Sequence, residues 1–301
     1  MATFSATDAA FSGFTLARAR PRIVLIWGLL LLAMSVVTSA ATILTVGQAM
    51  ADMQAASQSG DQEATLQSLG ALAPFYLVAL PLTLLYYGVA TAAVNRMVLR
   101  PDDNRNAFIQ LGGDELRMIL VMIVQWLITV GAIFATMMLV GILTGVATAA
   151  GGAVAGVIVG IISGVSAIGL VAWLSIRLSL ALTQTFATGR LNIFGSWALT
   201  KGHFWPILGA YLLAIILLIV VFLLAFAVQA AAAIALGGGF AGVTSLFQPD
   251  MSTLAAYFTP AMIIYILIGG FLSALSMMVM YGPAATIYRQ LAQPAPAEVF
   301  S

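Results

Sequence analysis

Arg177 is the one base set inside an apolar run of this 301-residue chain, flanked by Trp173, Ser175, Ser179, Thr183 and Gln184. A guanidinium offers a planar fork of donors that fits a carboxylate or a phosphate. Charge within a membrane-crossing segment marks a functional site by default. Counted from Ala153, however, Arg177 lies about 36 Å along a helix, at the depth where a long side chain reaches the headgroups. Two readings stand: an interfacial anchor, or a contact for a headgroup, substrate or partner. Phe14 with Arg18 and Trp197 with Lys201 each pair an aromatic with a base four residues apart, one helical turn, and His203 follows. Aromatics seat at a membrane interface, and bases draw anionic headgroups at about 1 kcal/mol each. These six residues are the candidate headgroup or partner contacts.

No other chemistry emerges. The chain has no cysteine, which removes disulfides, thiol nucleophiles and iron–sulfur clusters, and one histidine cannot build a histidine-rich metal site. Gly164-Val-Ser166-Ala-Ile-Gly169 approaches a nucleophile elbow but has one residue too many and no histidine in the apolar runs to serve as base. Asp102-Asp103 after Pro101 reads as a solvated helix cap. No phosphate-cradling glycine loop with a lysine occurs. Gln125 and Gln229, the notable amides within or near the ends of apolar runs, are expected to hydrogen-bond neighbouring helices. The expectation is therefore no catalytic residue, no metal and no cofactor.

The elements that must position these residues follow from composition. Hydrophobic residues make up 62% of the chain and charged ones 7%, with a mean hydropathy of +1.09. A soluble domain carries about 25% charge, so the pattern is that of an integral membrane protein. Six apolar stretches are long enough to cross a bilayer, at about 23–46, 71–96, 118–146, 153–183, 205–235 and 256–287. The predicted class is an all-α bundle of six membrane helices in a single integral domain over 1–301.

Charge sets the expected orientation. Arg18, Arg20, Arg22, Arg96, Arg100, Arg105, Arg117, Arg177, Arg190, Lys201 and Arg289 fall on one side of the stretches, with Asp8, Asp102, Asp103, Asp114, Glu115 and Glu298. The alternate connections hold Asp52, Asp61, Glu63 and Asp250 and no base. Basic loops stay in the cytoplasm, which predicts both termini inside, and the alanine-rich, lysine-poor usage suggests a bacterial inner membrane. Scattered bases of this kind do not make a nucleic-acid surface. Ser39-Ala40-Ala41 mimics a signal cleavage site, but the first stretch exceeds the roughly 7–15 residues of a signal core, so it is read as retained.

A threefold repeat is also expected, with copies at 8–97, 104–187 and 192–290. Each would hold an interfacial helix, an outgoing span and a returning span. Phe14 to Arg18 then matches Trp197 to Lys201, and Tyr87-Gly88 through Arg96 matches Tyr281-Gly282 through Arg289; Phe108 and Leu111 open a weaker middle copy. Gly152, Gly156, Gly160 and Gly164 recur every fourth residue, with Gly141 and Gly145 on the preceding stretch. Small residues at this spacing let membrane helices approach closely, within the chain or across a homodimer.

The run Arg177-Leu-Ser-Leu-Ala, followed by Ser196-Trp-Ala-Leu-Thr-Lys-Gly-His-Phe-Trp205, resembles the membrane domain that accompanies some bacterial glycerophosphodiester phosphodiesterases and its stand-alone relatives. The chain has no counterpart of the phosphodiesterase barrel, with its metal-binding carboxylates and catalytic histidines. The resemblance accordingly implies a membrane module and carries over no catalytic residue. The functional expectation is a non-catalytic accessory, scaffold or assembly subunit for a membrane partner, in contact with the bilayer and with bound phospholipid. The alternative is a carrier or channel for a lipid or small apolar solute. No Asp, Glu or His sits at the centre of a span, as an ion-coupled pump would require.

Overall fold

The computed structural model describes residues 4–236 and 239–292; Glu298 lies outside them. The described residues are helical, with no strand. Five stretches are long and apolar enough to cross a membrane: Pro21–Ser59, Gln62–Leu99, Arg105–Thr188, Phe204–Leu236 and Pro260–Ala292.

The helices in chain order are α1 (Ala6–Ala19), α2 (Pro21–Ser59), α3 (Gln62–Leu99), α4 (Gly113–Leu178), α5 (Ala181–Thr188), α6 (Gly195–Leu199), α7 (Phe204–Leu236), α8 (Phe240–Phe247), α9 (Leu254–Tyr257) and α10 (Pro260–Ala292). Helix starts and stops follow local chemistry. Pro21 opens α2, where its missing N–H costs nothing. Gly60 closes α2 in a left-handed conformation, φ 73°, its amide turned back to the carbonyls of Ala56 and Ser57. The Asp61 carboxylate then accepts the Ala64 amide at 3.0 Å and starts α3. The polar connection around 51–69 is thus mostly helix, two extensions joined by a tight turn.

The third stretch is folded back on itself. Gly152 breaks α4 with φ 76° and ψ −177°. A Cβ built on Gly156 would overlap the Thr148 side chain, and one on Gly160 would lie 3.3 Å from Thr144 Oγ1. Each facing pair is equidistant from Gly152, as the two arms of a hairpin require.

Two expected boundaries are corrected. The stretch read as 153–183 stops at Leu178, and α5 begins afresh at Ala181. Ser196, sixteen or more residues away, supplies the cause: its Oγ donates to the Arg177 carbonyl at 2.7 Å and accepts the Leu180 amide at 3.1 Å. The stretch read as 256–287 breaks after α9, because Pro260 has no amide with which to continue a helix. The three lead-in segments of the expected repeat also differ. They are a 14-residue helix, a turn at Arg105–Phe108 and a five-residue helix.

The chain divides into two compact units, interleaved along the sequence. One holds the chain to Ala10, Gly88–Leu212 and the chain from Tyr281; the other holds Phe11–Tyr87 and Leu213–Met280. In the first, Ala9, Ile176, Leu180, Ile207, Ala210 and Ile287 form one buried cluster, and Ala92, Met118 and Phe186 another. In the second, Ala233, Leu246, Ala261, Met262 and Ile266 form the core. There α2 and α10 meet closely: a Cβ on Gly28 would overlap the Phe271 ring, and one on Gly270 would come within 3.0 Å of the Gly28 carbonyl oxygen.

Candidate functional site

Arg177 ends α4 beneath two indoles. Its guanidinium carbon lies 5.6 Å from the Trp173 ring centroid and 5.7 Å from that of Trp197, and the two rings meet edge-on at 5.0 Å. Trp173 is one turn earlier on α4, and Trp197 arrives on α6, which Ser196 ties to the Arg177 carbonyl. The same serine that ends α4 therefore delivers the second ring. Cation–π contacts of this kind contribute roughly 0.5–2 kcal/mol, but they satisfy no hydrogen bond. Arg177 Nε and Nη1 are buried and have no partner, whereas buried donors are ordinarily paired. The residue itself is only partly buried. The arrangement is a cation held in a fixed place by aromatic walls, with unused donor capacity.

Of the other sequence candidates, Trp197 stands beside it. Lys201 lies beyond α6, exposed, rather than on its face. His203 turns its Nδ1 to the Lys201 carbonyl at 3.1 Å and its ring to Phe4 at 6.2 Å. Phe14 and Arg18 lie on the part of α1 that belongs to the second unit, where Phe14 stands 6.4 Å from Phe11 and Arg18 is exposed. In the glycine row, Gly152 makes the hairpin turn, Gly156 and Gly160 face threonines, and a Cβ on Gly164, Gly141 or Gly145 would meet nothing.

A second constellation was missed from sequence, where its bases served only to orient the chain. Arg96 and Glu115 are both 2% exposed and paired at 2.6 Å. Arg96 also donates to the Phe108 carbonyl at 2.8 Å and approaches Asp103 at 3.4 Å. Arg100 pairs with Asp114 at 2.8 Å and donates to the Phe186 carbonyl at 2.9 Å, and Arg117 takes the other Asp114 oxygen at 2.7 Å. The Phe186 ring sits against both guanidinium groups, 4.5 Å from that of Arg100 and 5.4 Å from that of Arg96. Asn106, Ala107 and Phe108 run left-handed, φ 48°, 56° and 68°, at roughly 1–2 kcal/mol each. The Arg96 bond to Phe108 helps hold that turn. The only signal in the sequence is the crowding of opposite charges around a short connection.

Asp103 corrects the helix-cap reading. It caps nothing; it accepts from Gln110 at 2.9 Å and from Arg105 at 3.1 Å. The Gln110 bond first, then Arg105, hold its carboxyl below the usual carboxylate value of 3.8. The stabilisation is present above that value and is lost as pH falls through the lowered one. This is a clamp on the α3–α4 connection.

No family model, curated protein or solved structure matches the chain. Among the described residues no group of three or more His, Asp or Glu is placed to hold a metal ion.

Proposed function

We propose that this chain is a six-span integral protein of a bacterial inner membrane, with both termini cytoplasmic. In this reading it acts as a non-catalytic accessory subunit that binds a membrane partner through the α4 hairpin. The observation that carries the reading is the openness of that hairpin. Phe134 and Ile168 are 70% and 72% exposed, Gly141, Gly145 and Gly164 have free space above them, and the most apolar window of the stretch is 6% buried within the chain. Glycine-bearing faces of this kind allow close backbone approach by another helix, which packing and not hydrophobic force must stabilise in lipid. The reversal at Gly152 supports counting the hairpin as two spans, which makes six with the other four.

The resemblance to the membrane domains accompanying glycerophosphodiester phosphodiesterases points the same way, toward a module serving a separate activity. Arg177 adds a lipid contact. Its guanidinium, fixed beside two tryptophans at the end of α4, is a planar cation of the kind that recognises a phosphate headgroup in a way an ammonium does not.

One purification tests both arms. A photo-crosslinking amino acid at Phe134, Val165 or Ile168 should capture a protein in native membranes, and the same probe at exposed Leu77 of α3 should capture only lipid. A self-adduct would identify the partner as a second copy. Lipid adducts alone at all three hairpin positions would overturn the partner reading. In the same preparations Arg177→Lys should lose co-purifying anionic phospholipid nearly as far as Arg177→Ala. Retention at the wild-type level would reduce Arg177 to an orientation anchor.

A further inference from the structure

The unit containing α2, α8 and most of α7 and α10 holds a cavity of about 300 Å³. Phe222, Phe226 and Gln229 line it from one face of α7, Leu246 and Phe247 from α8, and Tyr265 from α10. Phe226 and Phe247 meet across it at 5.6 Å. Its walls are hydrocarbon and aromatic except for two groups, the Gln229 amide and the Tyr265 hydroxyl.

The two groups lie near the helix ends that the α8–α9 segment connects, the C-terminal end of α7 and the N-terminal end of α10. Gln229 is seven residues before the end of α7 and Tyr265 five after the start of α10, about 10 and 8 Å in. Neither makes a side-chain hydrogen bond to a described residue, although Gln229 is only 6% exposed. Gln229 lines the cavity, whose wall includes some polar surface among the apolar. Gln125 shows the ordinary outcome for an amide in such a helix: its Nε2 donates to the Leu178 carbonyl at 3.2 Å. The expectation of a neighbouring-helix partner thus holds for Gln125 and not for Gln229. An amide without a partner in a water-poor apolar site costs several kcal/mol. A ligand with one matching polar group removes that cost.

We propose that this cavity binds a neutral single-chain amphiphile, a long-chain alcohol by class. Its hydroxyl is held by Gln229 and Tyr265, and its hydrocarbon lies along Phe222 and Phe226. Three features select the class. The lining residues carry no base, so an ionised carboxylate or phosphate would stay unpaired. The amide and the phenol between them donate and accept, which a hydroxyl answers in both senses. The recess is open on one side, and the roughly 300 Å³ it encloses, at the low end of ligand pockets, has room for the head and part of a single chain. The site belongs to a different unit from the α4 hairpin and from Arg177, and it does not depend on the partner reading.

The test uses the full chain in phosphatidylcholine nanodiscs, with three diazirine-tagged probes: hexadecan-1-ol, hexadecane and hexadecanoic acid. The alcohol should label peptides of α7 and α10 about tenfold more than the alkane, the factor expected for hydrogen bonds worth ~1.4 kcal/mol. Gln229→Leu, which keeps the apolar volume, should abolish the preference while alkane labelling persists. Tyr265→Phe removes one oxygen and should lower alcohol labelling only. Equal labelling by alcohol and alkane in the wild type, or a preference surviving Gln229→Leu, would show a groove merely wetted by lipid and overturn the proposal. Stronger labelling by the ionised acid would overturn the neutral head.

Discussion

A buried ion pair is worth little net, because removing two charges from water costs nearly what their attraction returns; breaking it is another matter. Arg96 and Glu115, both buried and 2.6 Å apart, fall under that asymmetry. Arg96→Ala would strand the Glu115 carboxylate and free the Phe108 carbonyl, so unfolding in detergent should reveal a loss of about 3–5 kcal/mol. Replacing both charges, Arg96→Met with Glu115→Leu, should cost less than the single change. A single variant as stable as wild type would mean that water already reaches the pair. Beyond the crowding of opposite charges around a short connection, this was not legible in the sequence. Arg96 and Glu115 stand nineteen residues apart across a connection whose left-handed path only Asn106 hints at, since Ala107 and Phe108 seldom adopt that conformation. The bases were readable as a group, by the side on which they fall; their individual partners were not.

At the scale of the element, long helices were legible because hydropathy over some twenty residues is a strong signal. Their ends were less so. The stop at Leu178 depends on Ser196, a side chain whose arrival is a tertiary event, whereas the stop before Pro260 is written in a missing amide. The glycine row was legible as a spacing, but which of its members faces a neighbour depends on where the turn falls. With Gly152 as pivot, Gly156 faces Thr148 and Gly164 faces open space. Gly156→Leu should therefore lower stability by roughly 1–3 kcal/mol through overpacking, measured by thermal unfolding in detergent. Gly164→Leu and Gly169→Leu should change it little, since a Cβ at either meets nothing. Equal losses at all three would mean that the hairpin is packed on every side.

For the whole molecule, the charge asymmetry predicts an orientation that the absence of cysteine makes straightforward to measure. Single cysteines at the exposed positions Ser57 and Ser252 should react with an impermeant maleimide in intact spheroplasts, while those at exposed Thr7 and Thr188 should wait for permeabilisation. Labelling of Thr7→Cys from outside would reverse the orientation. Opposite behaviour of Thr7 and a site added after Ala292 would give an odd number of crossings. With that orientation, the turn at Gly60 acquires a meaning of its own. Helix α2 has 39 residues, about 58 Å, against roughly 30 Å of hydrocarbon. Its apolar run ends near Val46, so some 20 Å of polar helix continues before Gly60 returns the chain into α3. In the proposed orientation the two polar extensions and the Gly60 turn between them would project from that side, and a soluble molecule there would meet the turn before it reached the lipid.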